Sequence, residues 1–407
     1  MAMSSRERVL AAVNHREPDR VPLDLGGSRV TGIDVGAYVA LRAALGLGGG
    51  PPQVVDVWQM LAWVERPVVD ALGADALPVP YLTGPFGLRV DAWRPWRSDD
   101  PDSPNTGLAV QMPANFAPVA EEEGSLCLYQ DGDLVAKKVA SSIYYDRMVE
   151  FKVYDPLPPV ERWPMPLFSD AELTWRRSWA ETLRRETDKA LIGDFGPILG
   201  RWGSYQEWMY NIAADPDYVL AFYERKIEAL LRNMALYADA VGANIDIVWL
   251  GEDFGTQKGL MISPAAFRRM VAPYYKRLFD WVHNHTPWKV LFHCCGAIYP
   301  IIGTLIECGV DILNPVQTSA AGMDPARLKA EFGDRLTFWG GGIDTQHVLS
   351  FGSPEEIRAQ VAERIRIFGP GGGFVFNPVH NIQRDVTPER LLAMYRAVRD
   401  FGGYPLP

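Results

Sequence analysis

The chain has 407 residues, 48% hydrophobic and 22% charged, with 13 Trp, 16 Tyr and 17 Phe, enough apolar surface to exclude a disordered chain. A net charge of −10 argues against non-specific binding to nucleic acid or anionic lipid. No apolar run reaches the roughly 18 residues of a membrane span, and the four cysteines are too few for a disulfide scaffold.

The N-terminus, Ser4-Ser5-Arg6-Glu7-Arg8, enters a charged helical pattern with no signal-peptide apolar segment, so a cytoplasmic protein is expected. Arg20 to Leu25 reads as a first strand and the stretch around Ala74 to Val79 as a second. Residues 81–165 fit no helix–strand alternation. They are rich in Pro, Trp and acidic residues (Trp93, Trp96, Asp99-Asp100-Pro101-Asp102, Glu121-Glu122-Glu123) and contain short alternating segments such as Leu126 to Leu134. This region is expected to be a β-rich insertion after the second strand, lying lid-like over one end of the fold.

From residue 190 onward apolar runs alternate with amphipathic stretches. The runs are 190–194, 245–250, 289–293, 311–314, 336–340 and 373–377, and the helices include Pro264 to His283, Pro354 to Phe368 and Pro388 to Phe401. Ser or Thr before Pro marks each of those three helix starts. Strict alternation of strand and helix implies parallel strands. Eight strands fit a single (β/α)8 barrel over 1–407, an α/β TIM-type fold; no Gly-x-Gly-x-x-Gly follows the first strand, which disfavours the open dinucleotide-binding sheet.

The strongest chemical signal is Phe292-His293-Cys294-Cys295-Gly296 at a strand end. Side chains two apart on a strand face the same way, so His293 and Cys295 converge while Cys294 points away. A converging imidazole and thiol are half of a zinc site; a buried strand end with a hydrogen-bonded histidine and two small core cysteines is the competing explanation. A third ligand has to come from another strand end, and Asn377-Pro378-Val379-His380 places His380 at the same rim. Glu252 and Asp253 end the fourth strand and Asp344 follows the seventh, where a barrel carries catalytic groups, although loop hydrogen bonding and helix capping also explain such residues. Trp202 and Tyr205, just beyond the third strand, fit either a substrate pocket or core packing. They join Asp24 and Asn314, at the ends of the first and sixth strands, as candidate substrate contacts.

These residues carry a resemblance. Ser5-Arg6-Glu7-Arg8-Val9-Leu10-Ala11-Ala12, Glu17-Pro18-Asp19-Arg20-Val21-Pro22, His293-Cys294-Cys295-Gly296, Gly341-Gly342-Ile343-Asp344 and Thr387-Pro388-Glu389-Arg390 agree in order and spacing with the uroporphyrinogen decarboxylase superfamily. The resemblance spans the chain except 81–165 and implies a (β/α)8 barrel. True uroporphyrinogen decarboxylases carry an Arg-Gln-x-Gly-Arg stretch for the substrate carboxylates, and here the corresponding region is Asp24-Leu25-Gly26-Gly27-Ser28-Arg29. The chain is closer to the zinc-dependent methyltransferase branch, which exchanges methyl groups with a corrinoid protein, coenzyme M or a similar acceptor.

In that branch His-x-Cys-Gly supplies two zinc ligands and a Cys on the last strand the third. His293 and Cys295 match, while His380 stands near the Cys position with one more residue before Thr387-Pro388. The resemblance therefore implies zinc, a small O- or N-methylated donor and a corrinoid cofactor. A separate protein must carry that corrinoid, because no Asp-x-His-x-x-Gly signature is present. A homodimer is compatible with the same reading; nucleic-acid and membrane partners are not expected. Two alternatives stand beside it: a metal-free decarboxylase or lyase acting through Asp253 or Asp344, and a non-catalytic protein that binds a small molecule or a corrinoid subunit.

Overall fold

Seven short strands form one parallel sheet in chain order: β1 (Ala76–Val79), β2 (Ala190–Pro197), β3 (Ile247–Gly251), β4 (Lys289–His293), β5 (Ile312–Asn314), β6 (Thr337–Trp339) and β7 (Phe374–Val375). The structure is a computed structural model that describes residues 3–97, 106–121, 124–139, 142 and 144–406. Asp99, Asp100, Pro101, Asp102, Glu122 and Glu123 lie outside the described residues.

Residues 20–25 close the sheet. Leu23 pairs in parallel with Phe376, and the Asp24 N–H donates to the Phe376 carbonyl. The Phe376 N–H donates to the Pro22 carbonyl, and on the other side the Asp75 N–H donates to the Leu23 carbonyl. This segment pairs at single bridges rather than as the continuous strand expected, because Pro22 has no N–H for a ladder. The result is a TIM-type α/β barrel with its closing seam at the first segment.

Alternation along the strands fixes two cores. Ile192, Ile247, Trp249, Leu291, Ile312, Trp339 and Val375 point inward and pack with Val9, Ala12 and Val13 of the helix Ser5–Val13, which plugs the end of the barrel where the strands begin. Their neighbours, such as Val248, Leu250, Val290 and Phe292, point outward into a larger core beneath the crossover helices. A period of two thus carries the whole barrel interior.

The crossovers are helical: Asp170–Glu186 before β2, Tyr205–Ala214 and Pro216–Val241 before β3, and Tyr299–Cys308 before β5. The helix expected over 264–283 is instead two, Pro264–Met270 and Ala272–His285. Pro273 has no N–H to give the Arg269 carbonyl, which breaks the ladder there. Ser263 and Ser353 cap their helices through the N–H groups of Ala266 and Glu356, whereas Thr387 makes no side-chain cap. Among the described residues no helix is long and apolar enough to cross a membrane.

Between β1 and β2 the chain builds two small antiparallel sheets, Trp93–Arg97 with Ala109–Pro113, and Val119–Ala120, Leu126–Gln130, Asp133–Lys138 and Asp146–Arg147. Tyr144 of this region donates its hydroxyl to Gln383 Oε1 (2.6 Å), on the loop that follows β7.

Candidate metal centre

The inward phase of Leu291 carries on past the end of β4, so His293 and Cys295 face the barrel axis at its mouth. The Cys295 Sγ lies 3.3 Å from His293 Nε2. Cys294 faces outward, is buried, and its sulfur accepts the Phe254 N–H (3.4 Å). Gly296 follows at φ +90, and a Cβ there would come within 2.5 Å of the Gly255 backbone; only glycine lets the β3 and β4 loops pass this closely.

His380 reaches the same point from beyond β7. Its φ of +71 is a left-handed conformation that a non-glycine residue holds only under restraint. The restraints are next to it: the Val379 N–H donates to the Ile343 carbonyl (3.0 Å), and Asn381 Oδ1 accepts the Gly32 N–H (2.6 Å). Asn381 Nδ2 also donates to the Arg29 carbonyl and to Gln59 Oε1. The His293 and His380 ring centres are 5.3 Å apart, and one ligand atom from each of His293, Cys295 and His380 lies within 4.8 Å of the others.

Tetrahedral zinc with nitrogen and sulfur ligands holds its donors roughly 3.4–3.6 Å apart, and the spacing of this cluster is compatible with such a three-ligand site. Burial, reinforced by His293, pushes His380 down to about 3, which keeps its imidazole neutral and free to ligate. Burial and the Asp253 carboxylate push the Cys295 thiol well up. A buried soft donor that is costly to ionise alone is the setting in which a divalent cation supplies the missing charge.

Asn314, expected as a substrate contact, instead backs His293. Its Oδ1 lies 2.6 Å from His293 Nδ1, and its Nδ2 donates to the Trp339 carbonyl (2.8 Å). The carbonyl partner orients the amide, which makes Oδ1 the acceptor of an Nδ1–H and leaves the Nε2 lone pair facing the cluster. Such outer partners set the tautomer and angle of a metal-binding histidine.

Asp253 is at the cluster. Its Oδ1 accepts the Cys295 N–H (2.8 Å) and sits 3.9 Å from His293 Nε2, with the carboxylate about one-third exposed toward the mouth. Glu252 turns the other way: Oε2 accepts the Tyr275 hydroxyl (2.7 Å), its N–H donates to the His293 carbonyl, and burial pushes its carboxyl up. It buttresses β4 rather than facing the cluster. Asp344 spends its oxygens on its own turn, through the Gln346 N–H (2.7 Å) and His347 Nδ1 (2.9 Å).

Asp24 is fully buried, with Oδ1 accepting from the Gly27 N–H and Oδ2 from Trp339 Nε1, and burial pushes it up to about 6. It has no open face for a substrate. Trp202 packs among Trp163, Tyr218 and Phe222, and the Arg201 guanidinium covers the Tyr205 ring. Trp202 belongs to the aromatic packing between helix Pro216–Val241 and the insertion, and Tyr205 lies beside Trp208 of its own helix.

The structure also places together residues the sequence did not single out. Arg29, Asp56, Tyr81 and Asp194 line one pocket at the mouth. It adjoins the cluster through Trp249, whose ring lies 5.5 Å from the Arg29 guanidinium and 6.3 Å from the His293 ring. The available signal was phase: Asp194 lies two residues after the inward-facing Ile192.

Residues 204–401 match the family model described as uroporphyrinogen decarboxylase (URO-D). The matched stretch is similar to a URO-D family domain and covers just under half of the chain. It contains β3 to β7 and all three residues of the cluster. Among curated relatives, a uroporphyrinogen decarboxylase of Pseudomonas fluorescens is 26% identical over 268 residues, 61% of this chain and 70% of that protein. One from Methylococcus capsulatus is 32% identical over 226 residues, covering 52% and 62%. A solved structure of a methyltransferase from Methanosarcina mazei covers 98% of this chain and 99% of its own, with a TM-score of 0.60 at 16% identity. At that identity the likeness shows the fold, and it does so over nearly the whole chain.

Proposed function

We propose that this chain is a zinc-dependent methyltransferase of the URO-D superfamily that removes a methyl group from a small O- or N-methylated molecule and passes it to a corrinoid carried by a separate protein. The observation that carries this reading is the convergence of His293 and Cys295, from the end of β4, with His380, from beyond β7, around one point with Asn314 behind His293. Three ligands leave the fourth zinc position open, the arrangement of a catalytic rather than a structural site. When bound, zinc supplies a Lewis acid that polarises the heteroatom bearing the methyl group.

The chain's own residues do the rest. Asn314 holds the His293 Nδ1 proton and so aims Nε2. Asp253 orders the Cys295 backbone and keeps a part-exposed carboxylate where a proton can be delivered to the heteroatom that loses its methyl group. The insertion 81–165, within what we read as a single barrel domain, touches the His380 loop through Tyr144 and Gln383 and acts as a lid that excludes water.

The names of the curated relatives favour a second reading, a carboxy-lyase working through Asp253. Recognition of a polycarboxylate needs several free cations, and among the described residues the mouth pocket is lined by one, Arg29, which is paired to Asp194 at 2.7 Å. Methylated phenols and amines incubated with zinc-loaded protein and reduced cobalamin separate the two readings. The account expects methylcobalamin, seen by its absorbance, with wild type and none with Cys295→Ser; carbon dioxide release from a carboxylated substrate without methyl transfer favours the lyase.

A further inference from the structure

The mouth pocket beside the cluster has an unusual balance of polar atoms. Asp56 and Asp194 are 1% and 5% exposed, and each has one oxygen engaged: Asp56 Oδ1 accepts the Gln59 N–H (3.0 Å), and Asp194 Oδ2 accepts Arg29 Nε (2.7 Å). The other two, Asp56 Oδ2 and Asp194 Oδ1, are buried with no hydrogen-bond partner. Buried carboxylate oxygens without a donor are costly, and a folded protein keeps them where a ligand completes them.

The single guanidinium in the pocket does not restore the balance. Arg29 is paired to Asp194, and its planar end lies 4.8 Å from the Tyr81 ring and 5.5 Å from the Trp249 ring. Two carboxylates line the pocket beside one guanidinium, so it is short of positive charge, and burial pushes the Asp56 carboxyl up. Its remaining walls, including Val55, Leu61, Val79 and Ile192, are apolar and suit methyl or methylene groups. A ligand that fits must bring a positive charge, at least one N–H donor and a small apolar body.

We propose that this pocket binds the protonated nitrogen of a small primary or secondary amine, with Asp56 Oδ2 and Asp194 Oδ1 as its acceptors. Asp194 pairs in register with Trp249 on β3, and Asn381 ties the Arg29 backbone to the loop of His380, so the nitrogen is held one residue layer from the metal cluster. The inference rests on the proposed methyl transfer only in making the bound amine the substrate of that reaction; the binding itself does not depend on it.

Saturation-transfer NMR on the full chain, with dimethylammonium, tetramethylammonium and acetate as probes, tests it, with zinc content measured on the same samples. Dimethylammonium is expected to bind wild type, to bind at least about tenfold more weakly to Asp56→Asn and to Asp194→Asn, and to outcompete tetramethylammonium, which has no N–H. Asp56→Asn keeps the acceptor for Gln59, and unchanged zinc content in either variant reports an intact mouth. Absence of zinc from wild type with carboxylate-dependent amine binding retained would remove the methyltransferase reading and leave this one standing. No dimethylammonium binding to wild type, binding to both variants as tight as to wild type, or preference for acetate would overturn the proposal.

Discussion

The two ends of the barrel are built on opposite principles. Where the strands begin, the buried carboxylates are saturated. Asp75, fully buried, accepts from Arg8 and Arg20 on one oxygen and from Arg20 and the Leu23 N–H on the other. Arg8 also grips Asp19, and Asp246 takes Arg184 and the Leu191 N–H. Where the strands end, Asp56 Oδ2, Asp194 Oδ1, Asn377 Oδ1 and Trp249 Nε1 are buried without partners, and His380 holds a left-handed backbone. One end spends its polar groups on holding the chain together, and the other leaves them unspent for a ligand, the division of labour expected of this barrel.

Substitutions at the two ends should therefore separate stability from binding. The largest effect is expected from Asp75→Ala, which strands two guanidiniums and should cost about 3–5 kcal/mol in urea unfolding while the folded fraction keeps its metal. A cost under about 1 kcal/mol would mean the saturated network is not what secures that end. Asn314→Ala acts at the mouth: zinc affinity should fall roughly 10–100-fold, read by chelator competition, with little change in unfolding midpoint.

His380→Gly sharpens the contrast, because it removes both a ligand and a strained φ. The metal-free variant should be about 1 kcal/mol more stable than wild type yet fail to retain zinc; a loss of stability would show that the φ of +71 is not strained. The smallest effect is one of pH. Hydrogen bonding to Arg8 holds Asp19 at about 2, below its ordinary 3.8. Its contribution to stability is then present above pH 4 and lost as the pH falls toward 2. Asp19→Asn should flatten the acid limb of the stability curve in that window and leave the mouth untouched.

Most of the architecture was legible because it follows from periodicity. Inward residues two apart, such as Ile247 and Trp249 or Leu291 and His293, mark the strands, and the same phase brings His293 and Cys295 together. What the sequence obscured was how polar side chains are spent. Asn314 and Asp24 stand at strand ends like substrate contacts, but the folded chain gives both of them Trp339 as a partner, a contact made across 25 and 315 residues of chain. Asp344 is satisfied by its own turn, which no pattern of residue types distinguishes from a catalytic position. Asp56 was missed because it belongs to a two-stranded pair, Val54–Asp56 with Leu61–Ala62, too short for an alternation signal. The Pro273 break in the helix over 264–283 was readable in principle, since the missing N–H is a property of the residue itself.

The central claim is that the unspent end of the barrel holds zinc through an alternating strand end. Zinc per chain, measured by mass spectrometry on protein purified without chelator, tests it most directly on wild type, Cys295→Ser and Cys294→Ser. The account predicts about one zinc in wild type and in Cys294→Ser, whose sulfur faces the Phe254 N–H, and none in Cys295→Ser. Equal loss from both variants, or no zinc in wild type after zinc is supplied, would contradict it.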